Sequence, residues 1–234
     1  MLKDSEKHRM KILICGDSYC VTDPAFPNLH WSEKIRNHSS EYEVCNLAYG
    51  GCSNALIALQ LTQGLQLNPD FVILSFTNEG RYELDNDLTA IPSSLSAAEL
   101  SDYLKRRYIT NNYPIDKNKL DVINRYKTLA ASENFEKLKN YFYICFCLLT
   151  LQTKKIDFCF TLGGFEFQQD YTAFLNLNFT ENLLREFAKF ELRTNLWYYG
   201  KSLVPYFHIS DDKVQTLFAN ECVSKITESS KKDY

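Results

Sequence analysis

Glycine is scarce in this sequence: eight residues in 234, about half the usual share. Each of them is therefore informative, because a chain with few glycines places them where the backbone needs them. Long apolar runs are missing too. No stretch of 18 apolar residues occurs, which excludes a transmembrane helix. The run that follows the charged amino terminus, KILIC at 11–15, is too short for the core of a signal peptide. These two absences lead to the expectation of a cytoplasmic protein with no membrane span. Excess charge of one sign is also lacking: 26 Lys+Arg stand against 29 Asp+Glu, a net −3. A nucleic-acid partner is therefore not expected, since such domains are usually basic. The eight cysteines include no CxxC pair and no Cys/His set at zinc-ligand spacing, so no metal is expected. Most lie in apolar segments such as ILIC, FYICFC and DFCF, which predicts reduced thiols packed as small hydrophobes.

What is present fits one α/β domain. Hydrophobic residues make up 45% of the chain, with 15 Tyr and 16 Phe, enough for a sizeable core. KILIC (11–15), EVCNL (43–47), FVILSF (71–76) and IDFCFTL (156–162) read as short buried strands, with LVPYFHI (203–209) a weaker fifth. Between them lie helical patterns: WSEKIRNH (31–38), a segment after Ser53, two segments in 119–154 meeting near Ser132, and one over 178–190. In the segment after Ser53, Leu56, Leu59, Gln60 and Gln63 divide into apolar and polar faces, with Ser53 as N-cap. The helix around 135–149 is apolar nearly all round and reads as core. Ser210 reads as the cap of a last helix. Alternation of strand and helix predicts a three-layer α/β/α arrangement on a mainly parallel, about five-stranded, flavodoxin-like sheet. The expected layout is a flexible extension at 1–10, a single domain at 11–228 with a lid or insertion at 80–118, and a frayed tail at 229–234. Low glycine with many Asn, Lys, Tyr and Phe suits a viral or AT-rich microbial source.

The residues with chemical potential fall at strand ends. Gly16-Asp17-Ser18 follows the first strand, at the carboxyl edge where α/β sheets place their ligands. Taken alone it also reads as an Asp/Ser turn. The second strand ends in Asn46-Leu47-Ala48-Tyr49-Gly50-Gly51-Cys52-Ser53, a glycine turn entering a helix, and the third in Phe76-Thr77-Asn78-Glu79. His208 stands just before the last helix. His30 and His38 flank the first predicted helix and read as surface or partly packed side chains. Cys20 lies near Ser18 but has no evident base. Arg81 is a candidate for holding an anionic substrate group, with a surface salt bridge as the other reading.

In order and position these segments resemble the motifs of the SGNH/GDSL hydrolase family. Gly16-Asp17-Ser18 matches the motif that carries the nucleophile. Asn46-x-Ala48-x-x-Gly51-x-Ser53 is similar to the second, Thr77-Asn78 to the third, and His208-Ile209-Ser210 to the last. The resemblance implies a serine esterase without cofactor, acting on a small-molecule or carbohydrate ester. It assigns Ser18 as nucleophile, His208 as general base, and the Ser18 and Gly51 N–H groups with the Asn78 amide as the oxyanion hole. Asp17 would support the turn. Two departures stand out. The family's acid three residues before the histidine is Pro205 here, and the glycine and final Asp of the third motif are Phe76 and Glu79. They leave open a second reading, a catalytically degenerate binding or structural protein on the same fold. A phosphate binder has little support, since no glycine-rich phosphate loop follows the first strand.

Overall fold

The computed structural model describes residues 9–22, 26, 28–50, 52–77, 81–83, 90–92, 133–162, 186–194, 196 and 211–231. For 81–83, 90–92 and 133–138 it describes the backbone alone. Strand β1 (Met10–Gly16) is followed by α1 (Trp31–His38), β2 (Tyr42–Asn46), α2 (Asn54–Gly64) and β3 (Phe71–Ser75). Two short strands, β4 (Arg81–Glu83) and β5 (Ala90–Pro92), pair antiparallel within the expected insertion. Helix α3 (Glu133–Lys154), β6 (Asp157–Thr161) and α4 (Asp212–Ser230) complete the named elements.

The main sheet has the order β2-β1-β3-β6, and every pairing in it is parallel. Side chains alternate across it with the period of two that a strand imposes. Leu13, Cys15, Val72, Leu74, Phe158 and Phe160 face α2 and α3, where Ile57, Leu61, Ile144, Cys147, Leu148 and Leu151 meet them. Ile12, Ile14, Phe71, Ile73 and Cys159 face the other way, onto Trp31 and Ile35 of α1 and Phe218, Cys222 and Ile226 of α4. Helices on both faces of a parallel sheet make this an α/β/α sandwich, as the alternating pattern predicts. Among the described residues the fifth position, beside β6, holds a single parallel bridge from Phe160 to Glu191. The fifth strand expected at 203–209 lies outside the described residues.

The chain runs from β1 to β2 on one side, then crosses β1 through α2 to reach β3 on the other. The connection changes direction between β1 and β3. Their carboxyl ends therefore mark the topological switch point that open α/β sheets use for ligands. Close approach of α2 to β1 depends on Gly64, where an added Cβ would come within 2.4 Å of Leu13 Cδ2 and 2.7 Å of Cδ1. Leu13 is buried and cannot retreat freely. Gly64→Ala is accordingly expected to destabilise the fold by ~1–3 kcal/mol through overpacking, read as a lower urea midpoint at unchanged m-value.

Several expectations need correction. Met10 belongs to β1, paired with Tyr42, rather than to a flexible extension. The cap of α4 is Asp211, whose carboxylate accepts from Val214 N at 2.9 Å, not Ser210; an acid at that place also suits the helix dipole. That helix runs on to Ser230, where a frayed tail was expected, and Ser229 donates to Asp157. Helix α3 is buried on one face only: Phe142, Phe146 and Leu149 are exposed. Of the helix expected over 178–190, residues 178–185 lie outside the described residues, 186–187 are helical, and Ala188–Phe190 form a 3-10 turn.

Candidate active site

Strand β1 ends at Gly16, and the turn that follows is organised around Asp17. Its side chain is fully buried. Asp17 Oδ1 accepts from Tyr19 N at 3.0 Å and Oδ2 from the Thr77 hydroxyl at 2.9 Å, while its carbonyl accepts from Cys20 N at 2.9 Å. Asp17 thus ties the exit of β1 to the exit of β3. Ser18 sits at the top of the turn, nine-tenths buried. Among the described residues neither its hydroxyl nor its backbone N–H has a hydrogen-bond partner. In an Asp/Ser turn of purely structural purpose, the serine would be expected to bond locally. Here Asp17 makes those bonds, and Ser18 makes none among the described residues.

Below the turn, Cys20 fills the space that the absent Gly16 side chain leaves. A Cβ on Gly16 would lie 2.4 Å from Cys20 Sγ and 3.0 Å from Ser75 Cβ, so a larger residue cannot enter without displacing the turn. Burial, then the neighbouring Asp17 charge, hold the Cys20 thiol well above its ordinary pKa. It is an inert packing group, since the thiolate is the nucleophilic form. The carbonyl of Tyr19 receives two donors, His30 Nε2 at 3.0 Å and Trp31 Nε1 at 3.0 Å. His30 is fully buried, contrary to the expected surface or partly packed role, and is the N-cap of α1: its Nδ1 accepts from Ser32 N at 3.2 Å. His38 is exposed and stacks on Tyr42.

The loop after β2 folds back on the same turn. Asn46 Oδ1 accepts from Ala48 N at 3.0 Å, and its Nδ2 donates to Cys20 O at 2.7 Å. Tyr49 N then donates to Gly16 O at 3.2 Å. Gly50 is a neighbour of Ser18: an added Cβ would lie 4.0 Å from Ser18 Cβ, an ordinary van der Waals contact. Ser53 caps α2, accepting from Ala55 N and Leu56 N. The first and second motifs therefore meet around Ser18.

On the third side, Thr77 follows Phe76, whose amide extends the sheet by donating to Thr161 O at 2.9 Å. The Phe76 ring is fully buried in the α2/α3 core, edge-on to Phe160. Gly51, Asn78 and His208 lie outside the described residues, as does most of the insertion at 80–118. Arg81 opens β4. Among the described residues there is no group of three His, Cys, Asp or Glu able to hold a metal, and no helix is long and apolar enough to cross a membrane.

In α2 the structure reverses two expected positions: Gln60, expected on a polar face, is buried, while Leu59 is exposed. Asn54, at the start of the same helix, is also buried. The signal was available: Gln60 shares its helical face with Ile57, Leu61 and Gly64, and a lone amide among core positions must find polar partners.

No family model and no curated protein matches the chain. Comparison with solved structures gives distant likenesses. An acetyl xylan esterase is 14% identical, with 92% of this chain and 99% of that one covered at a TM-score of 0.47. A psychrotrophic esterase from Pseudoalteromonas sp. is 12% identical, covering 94% and 97% at 0.48. A member of the lipolytic G-D-S-L family from Veillonella parvula is 11% identical, covering 93% and 98% at 0.47. The fold assignment rests on this chain's own strand order and register.

Proposed function

We propose that this chain is a divergent SGNH/GDSL-type serine hydrolase that cleaves a small acyl or carbohydrate O-acyl ester through an acyl-enzyme on Ser18. The observation that carries the proposal is Ser18 itself. It stands at the carboxyl end of a central strand, beside the point where the sheet connection reverses, with hydroxyl and N–H both uncommitted among the described residues. Ser18 Oγ attacks the ester carbonyl while His208 takes its proton and returns it to the departing alcohol; water then hydrolyses the acyl-serine by the same steps. The Ser18 N–H, the Gly51 N–H and the Asn78 amide receive the oxyanion, each such donor being worth about 2.7–4 kcal/mol in the transition state. Asp17 acts as the support of the turn. With Pro205 in the family's acid position, His208 takes its orientation from a backbone carbonyl or from an acid elsewhere in the chain. The burial of Phe76 in the core speaks against the degenerate alternative, in which that ring would fill the oxyanion pocket.

A fluorophosphonate probe tests this directly. It is expected to label the protein on the peptide containing Ser18, identified by mass, and to leave Ser18→Ala unlabelled. Absence of label on folded wild-type protein, with no turnover of short acyl esters, would remove the proposal.

A further inference from the structure

Helix α2 carries two amide side chains that grip the backbone of two different strand exits. Gly16 N donates to Gln60 Oε1 at 2.8 Å, and Gln60 Nε2 donates back to Gly16 O at 3.2 Å. Thr77 N donates to Asn54 Oδ1 at 2.8 Å, and Asn54 Nδ2 donates to Thr77 O at 2.9 Å. Each amide thus satisfies both the N–H and the C=O of one residue, as a neighbouring strand would. The orientation of each is fixed, because a backbone N–H can only donate and so must face the amide oxygen. Both side chains are buried, where an unmet backbone group is costly. Asn54 Nδ2 also donates to Asn140 Oδ1 at 2.9 Å, which anchors the second grip to α3. Gly16 O further accepts from Tyr49 N at 3.2 Å and from the Cys52 thiol at 3.3 Å.

The sequence neighbours of the gripped residues give these contacts a purpose. Gly16 is two residues before Ser18, and Thr77 is one residue before Asn78. We infer that Gln60 and Asn54 are positioning residues for ester hydrolysis: α2 acts as one rigid bar that sets the nucleophile turn on β1 against the exit of β3, the residue before Asn78. The Asp17–Thr77 hydrogen bond closes the same frame from above. The inference rests on the serine-hydrolase reading of this site. It adds residues that neither touch substrate nor belong to the four motifs. A nucleophile and an oxyanion donor must keep their separation to within about an ångström, since a misplacement of that size costs on the order of 10²-fold in rate.

The test uses Gln60→Met, which keeps length and loses both hydrogen bonds, with Gln63→Met on the exposed side of α2 as control. For Gln60→Met, kcat on a short acyl ester is expected to fall ~10–100-fold with KM within about threefold. The rate of fluorophosphonate inactivation should fall in the same ratio, in protein that circular dichroism shows to be folded. The control should match wild type. Folded Gln60→Met with kcat within twofold of wild type overturns the inference while leaving the serine hydrolase intact. Wild type that neither turns over nor labels overturns the functional reading instead. If Gln60→Met does not fold, Gln60→Glu decides. Its protonated carboxyl reproduces the amide's acceptor and donor, whereas its carboxylate repels Gly16 O. The ratio of its kcat to that of wild type should therefore rise as pH is lowered, and a ratio flat with pH overturns the inference.

Discussion

Substituting alanine for Ser18 is expected to lower kcat for ester hydrolysis by ~10⁴–10⁶-fold, leaving only what the oxyanion hole and binding provide without a nucleophile. The expectation is unusual in what it spares. A polar residue nine-tenths buried at a tight turn normally pays its way in hydrogen bonds, and its removal destabilises. Ser18 makes none among the described residues, so the thermal midpoint of Ser18→Ala should stay within a few degrees of wild type. Asp17 is expected to behave in the opposite way. That carboxylate is fully buried and receives Tyr19 N and the Thr77 hydroxyl, so Asp17→Ala would leave two donors unmet and lose the turn altogether. Kinetics and a melting curve on Ser18→Ala therefore separate chemistry from architecture. A variant that keeps a tenth or more of wild-type kcat would place the nucleophile elsewhere. Pro205 bears on the absolute rate: in serine proteases, neutralising the acid behind the histidine lowers kcat by roughly 10⁴, so wild-type turnover should be judged against the Ser18→Ala baseline.

The sheet was legible because its strands are short apolar runs punctuated by turn residues. FVILS is buried at every position, and such a run has few alternatives in an α/β chain. Helix α1 spans the expected Trp31–His38, with Glu33 and Arg36 suiting its two ends. The turn Gly16-Asp17-Ser18 was legible for the same reason: it lies where a strand must stop. Tertiary partners were not. That Asp17 reaches Thr77, sixty residues on, or that Gln60 grips Gly16, forty-four residues back, leaves no local periodicity to find. Composition also misled at α2. Glutamine is usually an exposed residue, which suggests a polar face for Gln60, whereas the helical positions of Ile57, Leu61 and Gly64 place it with the core. His30 failed in a similar way, because histidine is not among the favoured caps and nothing adjacent in sequence announces Tyr19 O as its partner.

His30 also sets the second large expectation, a loss of stability in mild acid. Burial disfavours its charged form and lowers its pKa from 6.5 to about 4, the opposing pull of the Tyr19 carbonyl being smaller. In the fold the ring is neutral, with Nε2–H donating to Tyr19 O and Nδ1 accepting from Ser32 N; protonation would turn that acceptor into a second donor. The unfolded chain takes up the proton near pH 6.5 and the folded chain only near 4. Stability is therefore fully present above pH 6.5, falls by ~1.4 kcal/mol per pH unit as the unfolded state binds the extra proton, and levels off below about 4. Across that window the loss amounts to ~3 kcal/mol, a large share of a domain's margin. His30→Asn keeps an N-cap acceptor but cannot titrate. Urea denaturation of both proteins from pH 7 to 4 should show wild type losing its advantage, and the variant's curve should be flatter by that amount. Parallel curves would mean that the His30 ring is not held neutral. The effect reaches Ser18 through Tyr19, the next residue, whose carbonyl accepts from both His30 and Trp31. In His30→Asn the Nε2 bond is gone, which loosens the carboxyl side of the nucleophile turn.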